Sequence, residues 1–157
     1  MSFDDFLQVL TGCLGAIGFA ILFNIRGKKF AAVAFAGFYS WLLFLVLGFF
    51  ISSEPTRYII VSSIVTLYSE IMARVLKTPA SAFTITSLIP LIPGSSLYYT
   101  MEFGLEKNWD KFIDTGIATL QYASSLALGI IIGTALTKAG HEIKILIKNR
   151  NKKNFLN

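Results

Sequence analysis

The sequence is short of the residues that most reaction chemistry needs. Among its 157 residues there is one cysteine, Cys13, and one histidine, His141. A lone cysteine inside an apolar run excludes an internal disulfide and a Cys-based metal site. A lone histidine, set among lysines beyond the last apolar run, excludes a His-rich zinc site and a Ser/His/Asp triad at membrane depth. No metal or other cofactor is expected, and no enzyme. Charge is scarce as well: Asp, Glu, Lys and Arg make up 15% of the chain, where a soluble domain has about 25%. No charge stands between Asp5 and Arg26, Lys29 and Glu54, Lys77 and Glu102, or Asp114 and Lys138. Each gap is about 20 residues or slightly more, the length a helix needs to cross roughly 30 Å of hydrocarbon. These gaps exclude a water-soluble globule and predict an all-α, polytopic protein of the lipid bilayer. The net charge of +5 lies mostly in the C-terminal segment beside a span, where it meets anionic lipid headgroups rather than nucleic acid.

Five spans are expected, at about 6–25, 30–51, 58–76, 80–103 and 112–137, forming one transmembrane domain over 1–140 and leaving a basic cytoplasmic tail at 141–157. The acidic Met1 to Asp5 segment lacks the basic start of a signal peptide, so the first run is expected to stay as a span. With the N-terminus outside, the inner connections carry eleven Lys and Arg residues and the outer ones only Arg57, Lys107 and Lys111. That bias predicts an N-out, C-in orientation. Without the third run as a span, the basic segments would fall on both sides.

Polar residues inside the spans are the candidates for function. On the third span Ser62, Thr66, Ser69, Glu70, Ala73 and Arg74 recur at spacings of three and four and so share one face, which should meet protein or water rather than lipid. An unpaired carboxylate at membrane depth costs about 2.5–3.5 kcal/mol. Glu70 therefore either forms a structural i,i+4 pair with Arg74, which snorkels to the interface, or serves proton coupling along a polar path. The fourth run holds Pro90, Pro93, Gly94, Ser95 and Ser96, followed by Tyr98 and Tyr99. Two prolines remove the donors that would serve the carbonyls of Thr86 and Ile89, which predicts a broken fourth helix. Gly94 would permit a tight turn, and Ser95 or Ser96 would cap the second half. Free N–H groups at that cap suit the carboxylate of a small substrate, and broken helices at the bilayer midplane are a common way to build a transporter site. Small residues every four positions, at Gly12, Ala16, Ala20 and Asn24, at Ala32, Ala36 and Ser40, and at Gln121, Ser125, Gly129 and Gly133, predict close helix association. Asn24 and Gln121 add polar groups that can bond between helices or line the path. Some of these stripes can meet another subunit, a second copy of the chain included.

The strings Ala73-Arg74-Val75-Leu76-Lys77-Thr78-Pro79, Ile89-Pro90-Leu91-Ile92-Pro93-Gly94 and Leu97-Tyr98-Tyr99-Thr100-Met101, with Phe23-Asn24 at the end of the first span, resemble the C-terminal half of the threonine/serine exporter family over essentially the whole chain. In many bacteria that half is a separate small subunit. The resemblance implies a bacterial secondary exporter of small carboxylate metabolites, with members linked to threonine and serine and a split two-subunit branch to succinate; the leading expectation is an inner-membrane subunit of such an exporter, driven by the proton-motive force. It also implies a larger partner with a cytoplasmic N-terminal domain and about five spans of its own, the halves lying inverted in the membrane if they are related repeats. The alternative is a scaffold or regulatory subunit that holds such a partner and binds no substrate itself.

Overall fold

The computed structural model describes the backbone of residues 3–154 and the side chains of residues 6–143. Asp4, Asp5 and the basic Lys144, Lys148, Arg150, Lys152 and Lys153, which enter the charge count, have side chains outside the described residues. The chain is all-helical: α1 (Phe3–Leu22), α2 (Lys28–Gly48), α3 (Glu54–Val75), α4 (Ala80–Leu88) extended by a 3₁₀ turn (Ile89–Leu91), α5 (Gly94–Leu105) and α6 (Trp109–Asn154). α2, α3 and the Trp109–Ile143 part of α6 are long and apolar enough to cross a membrane. Ala80–Leu91 and Gly94–Leu105 meet at 61° and together are long and apolar enough to make a fourth, broken candidate span. The apolar part of α1, Phe6–Leu22, is shorter. The backbone of α6 continues as one helix of 46 residues to Asn154, about 70 Å at 1.5 Å per residue. The basic C-terminal segment thus prolongs the last span as helix.

Local sequence explains the helix ends. α3 starts with Ser53 at its cap, Glu54 in its first turn and a proline at its beginning, and carries Arg74 in its last turn, each placed as the helix dipole favours. α1, α3 and α5 close in the same way, with Asn24, Lys77 and Lys107 at positive φ (54°, 50° and 58°). After α1, Asn24 N–H donates to Ile21 O and Ile25 N–H to Ala20 O, both at 2.9 Å. Lys77 and Thr78 bond to Arg74 and Ala73, and Lys107 and Asn108 to Gly104 and Phe103, in the same two-bond pattern. This is the Schellman ending, usually built on glycine.

The stripes of small residues are where helices approach most closely. α3 and α6 share an extensive interface, in which Gly129 faces Ser62 and a Cβ added at Gly133 would lie 2.7 Å from Ser63 O and 2.8 Å from Thr66 Cβ. The polar stripe of α3 therefore faces the glycine stripe of α6, and Ser62, Thr66 and Ser69 are fully buried. Between α1 and α2, Gly37 faces Ala16, and Ala16, Ala20 and Ala36 are fully buried. α4 sits against α1, α2 and α3, with Phe83 and Leu91 fully buried. Phe83 joins Ala20, Ile25, Ala32 and Val33 in one apolar cluster, while Leu88 and Leu91 join Phe44, Tyr58, Val61 and Val65 in the other. α5 has no buried residue and packs chiefly on α6.

Gly133→Val is expected to destabilise the protein by about 1–3 kcal/mol through overpacking, seen as a lower Tm in detergent. Gly18→Ala is the control: nothing lies within 4 Å of a Cβ there, and alanine favours a helix by about 1 kcal/mol. Its Tm should hold or rise, and equal losses in both variants would remove the glycine contact from the explanation.

Candidate functional site

The break in the fourth span is built from three local features. Pro90 cannot donate to Thr86 O, so the chain tightens into the 3₁₀ turn, where Ile92 N–H donates to Ile89 O at 3.1 Å. Ile92 is then extended. Pro93, at φ −73° and ψ 59°, forms an inverse γ-turn in which Gly94 N–H donates to Ile92 O at 2.6 Å. The expected capping by Ser95 or Ser96 does not occur: Pro93 occupies the cap and no side chain bonds there. Gly94 makes no demand on backbone freedom either, since Gly27 is the glycine with positive φ and a Cβ at Gly94 would meet nothing within 4 Å. The first backbone bond of α5 is Leu97 N–H to Pro93 O at 3.1 Å. The amides of Ser95 and Ser96 lie ahead of that bond, at the positive end of the half-helix.

Beside the break is a cavity of about 400 Å³. It exists because α4 and α6 both pack on α3 while touching each other little. Glu70 lines it from α3; Ser81, Thr84, Ile85 and Leu88 from α4; Leu126, Ile130 and Thr134 from α6; and Ile92 from the break. From Leu126 to Thr134 the cavity follows α6 for about 12 Å, at 1.5 Å per residue. Its walls are mostly aliphatic, with Glu70 the one ionisable group among the lining residues. The Glu70 carboxylate is 3.7 Å from the Arg74 guanidinium, with side-chain exposures of 17% and 46%. The expected i,i+4 pair is therefore present, and its acidic member also borders a cavity. At that separation the contact is electrostatic rather than a close hydrogen bond, which leaves the carboxylate oxygens able to accept from a ligand.

The remaining candidates are spread over the molecule. Pro90 packs against α1 and α2, 3.2 Å from where a Cβ at Gly12 would lie, and borders a small surface pocket with Gln8, Thr11 and Trp41. Ser96 shares a hydrogen bond with Thr119 of α6 at 2.8 Å, so it ties α5 to α6. Ser95, Tyr98 and Tyr99 are exposed on α5, the two rings packing edge to face at 5.5 Å. Gln121 lines a separate pocket with Pro55, Ser124 and Ser125. Asn24 is the left-handed end residue of α1, and its Oδ1 accepts from Arg26 Nε at 2.8 Å.

Ser81, Thr84 and Thr134 at the cavity have no signal in the sequence, since isolated hydroxyl residues within apolar runs form no motif. Arg57 is by sequence an outer charge and no more. Arg57 stacks over the Phe44 ring at 4.7 Å and lies 3.5 Å from Glu54, which clips the α2–α3 connection.

Asn24 holds the left-handed end of α1 and also borders a small pocket with Ile21, Arg26 and Phe30; Asn24→Gly should hold or raise Tm in detergent, since glycine takes the left-handed region without a Cβ. A lower Tm in that variant would show that the side-chain bond to Arg26 outweighs the relief at the backbone.

Residues 8–136 match the model of a protein family described as Threonine/Serine exporter, ThrE. No curated protein and no solved structure matches the chain.

Proposed function

The chain belongs to the threonine/serine exporter family, a family of membrane transporters and not of enzymes, and on that premise we propose that it is the small subunit of a proton-motive-force-driven exporter, acting with a larger partner subunit. α1 and the four candidate spans cross the inner membrane as five segments, N-terminus outside and C-terminus in the cytoplasm. The substrate is threonine or serine, with a succinate-like dicarboxylate as the alternative within the same class of small carboxylates.

The observation that carries this reading is the cavity that has Glu70 on its wall and ends at the helix break. Its Ser81 end lies near the connection between α3 and α4, where Arg74 and Lys77 put the cytoplasmic side. A substrate from the cytoplasm enters there and presents its ammonium group to Glu70. Beyond Ile92 the amides of Ser95 and Ser96 suit its carboxylate, and Tyr98 and Tyr99 complete the path on the face of α5 turned to the partner. Protonation of Glu70 would release the ammonium group, which links substrate release to proton entry.

Glu70→Gln keeps the shape of the side chain and removes the titration. Threonine efflux from cells expressing both subunits should fall about ten-fold or more, the loss of a charge-assisted hydrogen bond of at least about 1.5 kcal/mol, and the residual efflux should no longer follow the external pH. An unchanged pH dependence would restrict Glu70 to its pair with Arg74. Proteoliposomes holding each subunit alone should be inactive and those holding both active; transport by the larger chain alone would make this one a scaffold.

A further inference from the structure

We propose that the hydroxyls of Thr84 and Thr134 read the side-chain hydroxyl of the exported amino acid, so that this cavity separates threonine and serine from apolar amino acids of similar size. This rests on the reading of the Glu70 cavity as the substrate path.

A hydroxyl inside a helix at membrane depth needs a partner, and the usual one is a carbonyl three or four residues back in the same helix. This chain follows that habit widely. Ser62, Ser63, Thr86, Thr100, Thr115, Thr119 and Thr137 all donate to such carbonyls, at 2.6–3.2 Å. Among the described residues, the hydroxyls that depart from it include those of Thr66, Ser69 and Ser87, which are sealed into the helix packing, and those of Thr84 and Thr134, which border open space. The last two line the cavity of Glu70, from opposite walls, Thr84 on α4 and Thr134 on α6. Thr84 is 9% exposed, so the cavity is where its hydroxyl finds a partner.

The rest of the wall narrows what that partner is. Leu88, Leu126 and Ile130 offer no competing hydrogen bond and suit a methyl group. Glu70, the hydroxyls of Thr84 and Thr134 on the two sides, Ser81 at the end next to the α3–α4 connection and an otherwise aliphatic wall fit an ammonium group, a hydroxyl and a methyl group, as in threonine; serine lacks only the last. Valine is the discriminating comparison, because it has the shape of threonine with a methyl in place of the hydroxyl. It would displace water from both threonines and leave them without partners. A site with buried polar groups rejects such an analogue far more strongly than an apolar pocket rejects an added hydroxyl.

The test uses cells expressing both subunits, loaded together with a threonine-containing and a valine-containing dipeptide, and reads the ratio of threonine to valine efflux from the same cells. That ratio is independent of how much transporter reaches the membrane. Thr84→Val and Thr134→Val are each expected to lower it about ten-fold or more, and Thr84→Ser, which restores the hydroxyl, to keep it. If one valine variant fails to reach the membrane, the other and Thr84→Ser still give the ratio. An unchanged ratio in the valine variants, with Glu70→Gln still blocking threonine efflux, would overturn the proposal and keep the cavity as the path. An unchanged ratio together with normal efflux by Glu70→Gln would overturn both.

Discussion

A helix that breaks within hydrocarbon leaves backbone groups that only protein or a water-lined cavity can satisfy, and the arrangement of the other helices answers to that constraint. The break at Ile89–Pro93 is met partly from within, by the short bonds from Ile92 N–H to Ile89 O and from Gly94 N–H to Ile92 O. The rest is met by enclosure. Leu91 is fully buried, and the turn that carries it contacts α1 and α2. Pro90 rests against Gly12, where a larger residue would push the turn away. α4 is thereby drawn into the middle of the structure, with α1, α2 and α3 around it.

Placing α4 inside leaves α6 to cover the opposite side of α3. Ser62 and Thr66 on one helix and Gly129 and Gly133 on the other let the two backbones come close, which association in lipid requires when apolar burial gives no advantage. The cavity follows from these two attachments. α3 is held by α4 on one side and by α6 on the other, and the space above it, between α4 and α6, is filled by neither. A carboxylate on α3 can border such a space without facing lipid, and Arg74 one turn away offsets part of its charge.

Features encoded within one segment were legible in the sequence. Two prolines three residues apart break a helix wherever it packs, and charge-free gaps mark long apolar helices. The stripes predicted close contact, although which stripe meets which depends on the fold. Asn24 illustrates the limit: composition marks a polar residue at the end of a span, while the positive φ that makes it the closing residue of α1 appears only in the fold. The start of α5 is similar. Ser95 and Ser96 look like caps by composition, but the γ-turn puts the cap at Pro93, two to three residues earlier, and leaves Ser96 free to bond to Thr119. The cavity was least legible because it draws on Glu70, Thr84 and Thr134 from three helices, a conjunction that no local pattern contains.

The two halves of the bent pair are held very unequally, and this bears on where the cavity can widen. α4 is fixed by Phe83, Leu88 and Leu91 in two apolar clusters, so displacing it would expose large side chains at about 1.5–3 kcal/mol each by the usual transfer scale, or open voids in the packing. α6 is locked to α3 at its glycines. α5 has no buried residue, and what ties it to α6 includes the Ser96–Thr119 hydroxyl contact and the packing of Gly104 against Phe112. Ile92 and Pro93, outside any helix, are where the backbone can turn at least cost. Opening the cavity beyond Ile92 is therefore least costly through α5 alone. Because Tyr98, Tyr99 and Leu105 stay exposed on that helix, whatever packs there in the membrane would also bear on the end of the cavity at Ile92.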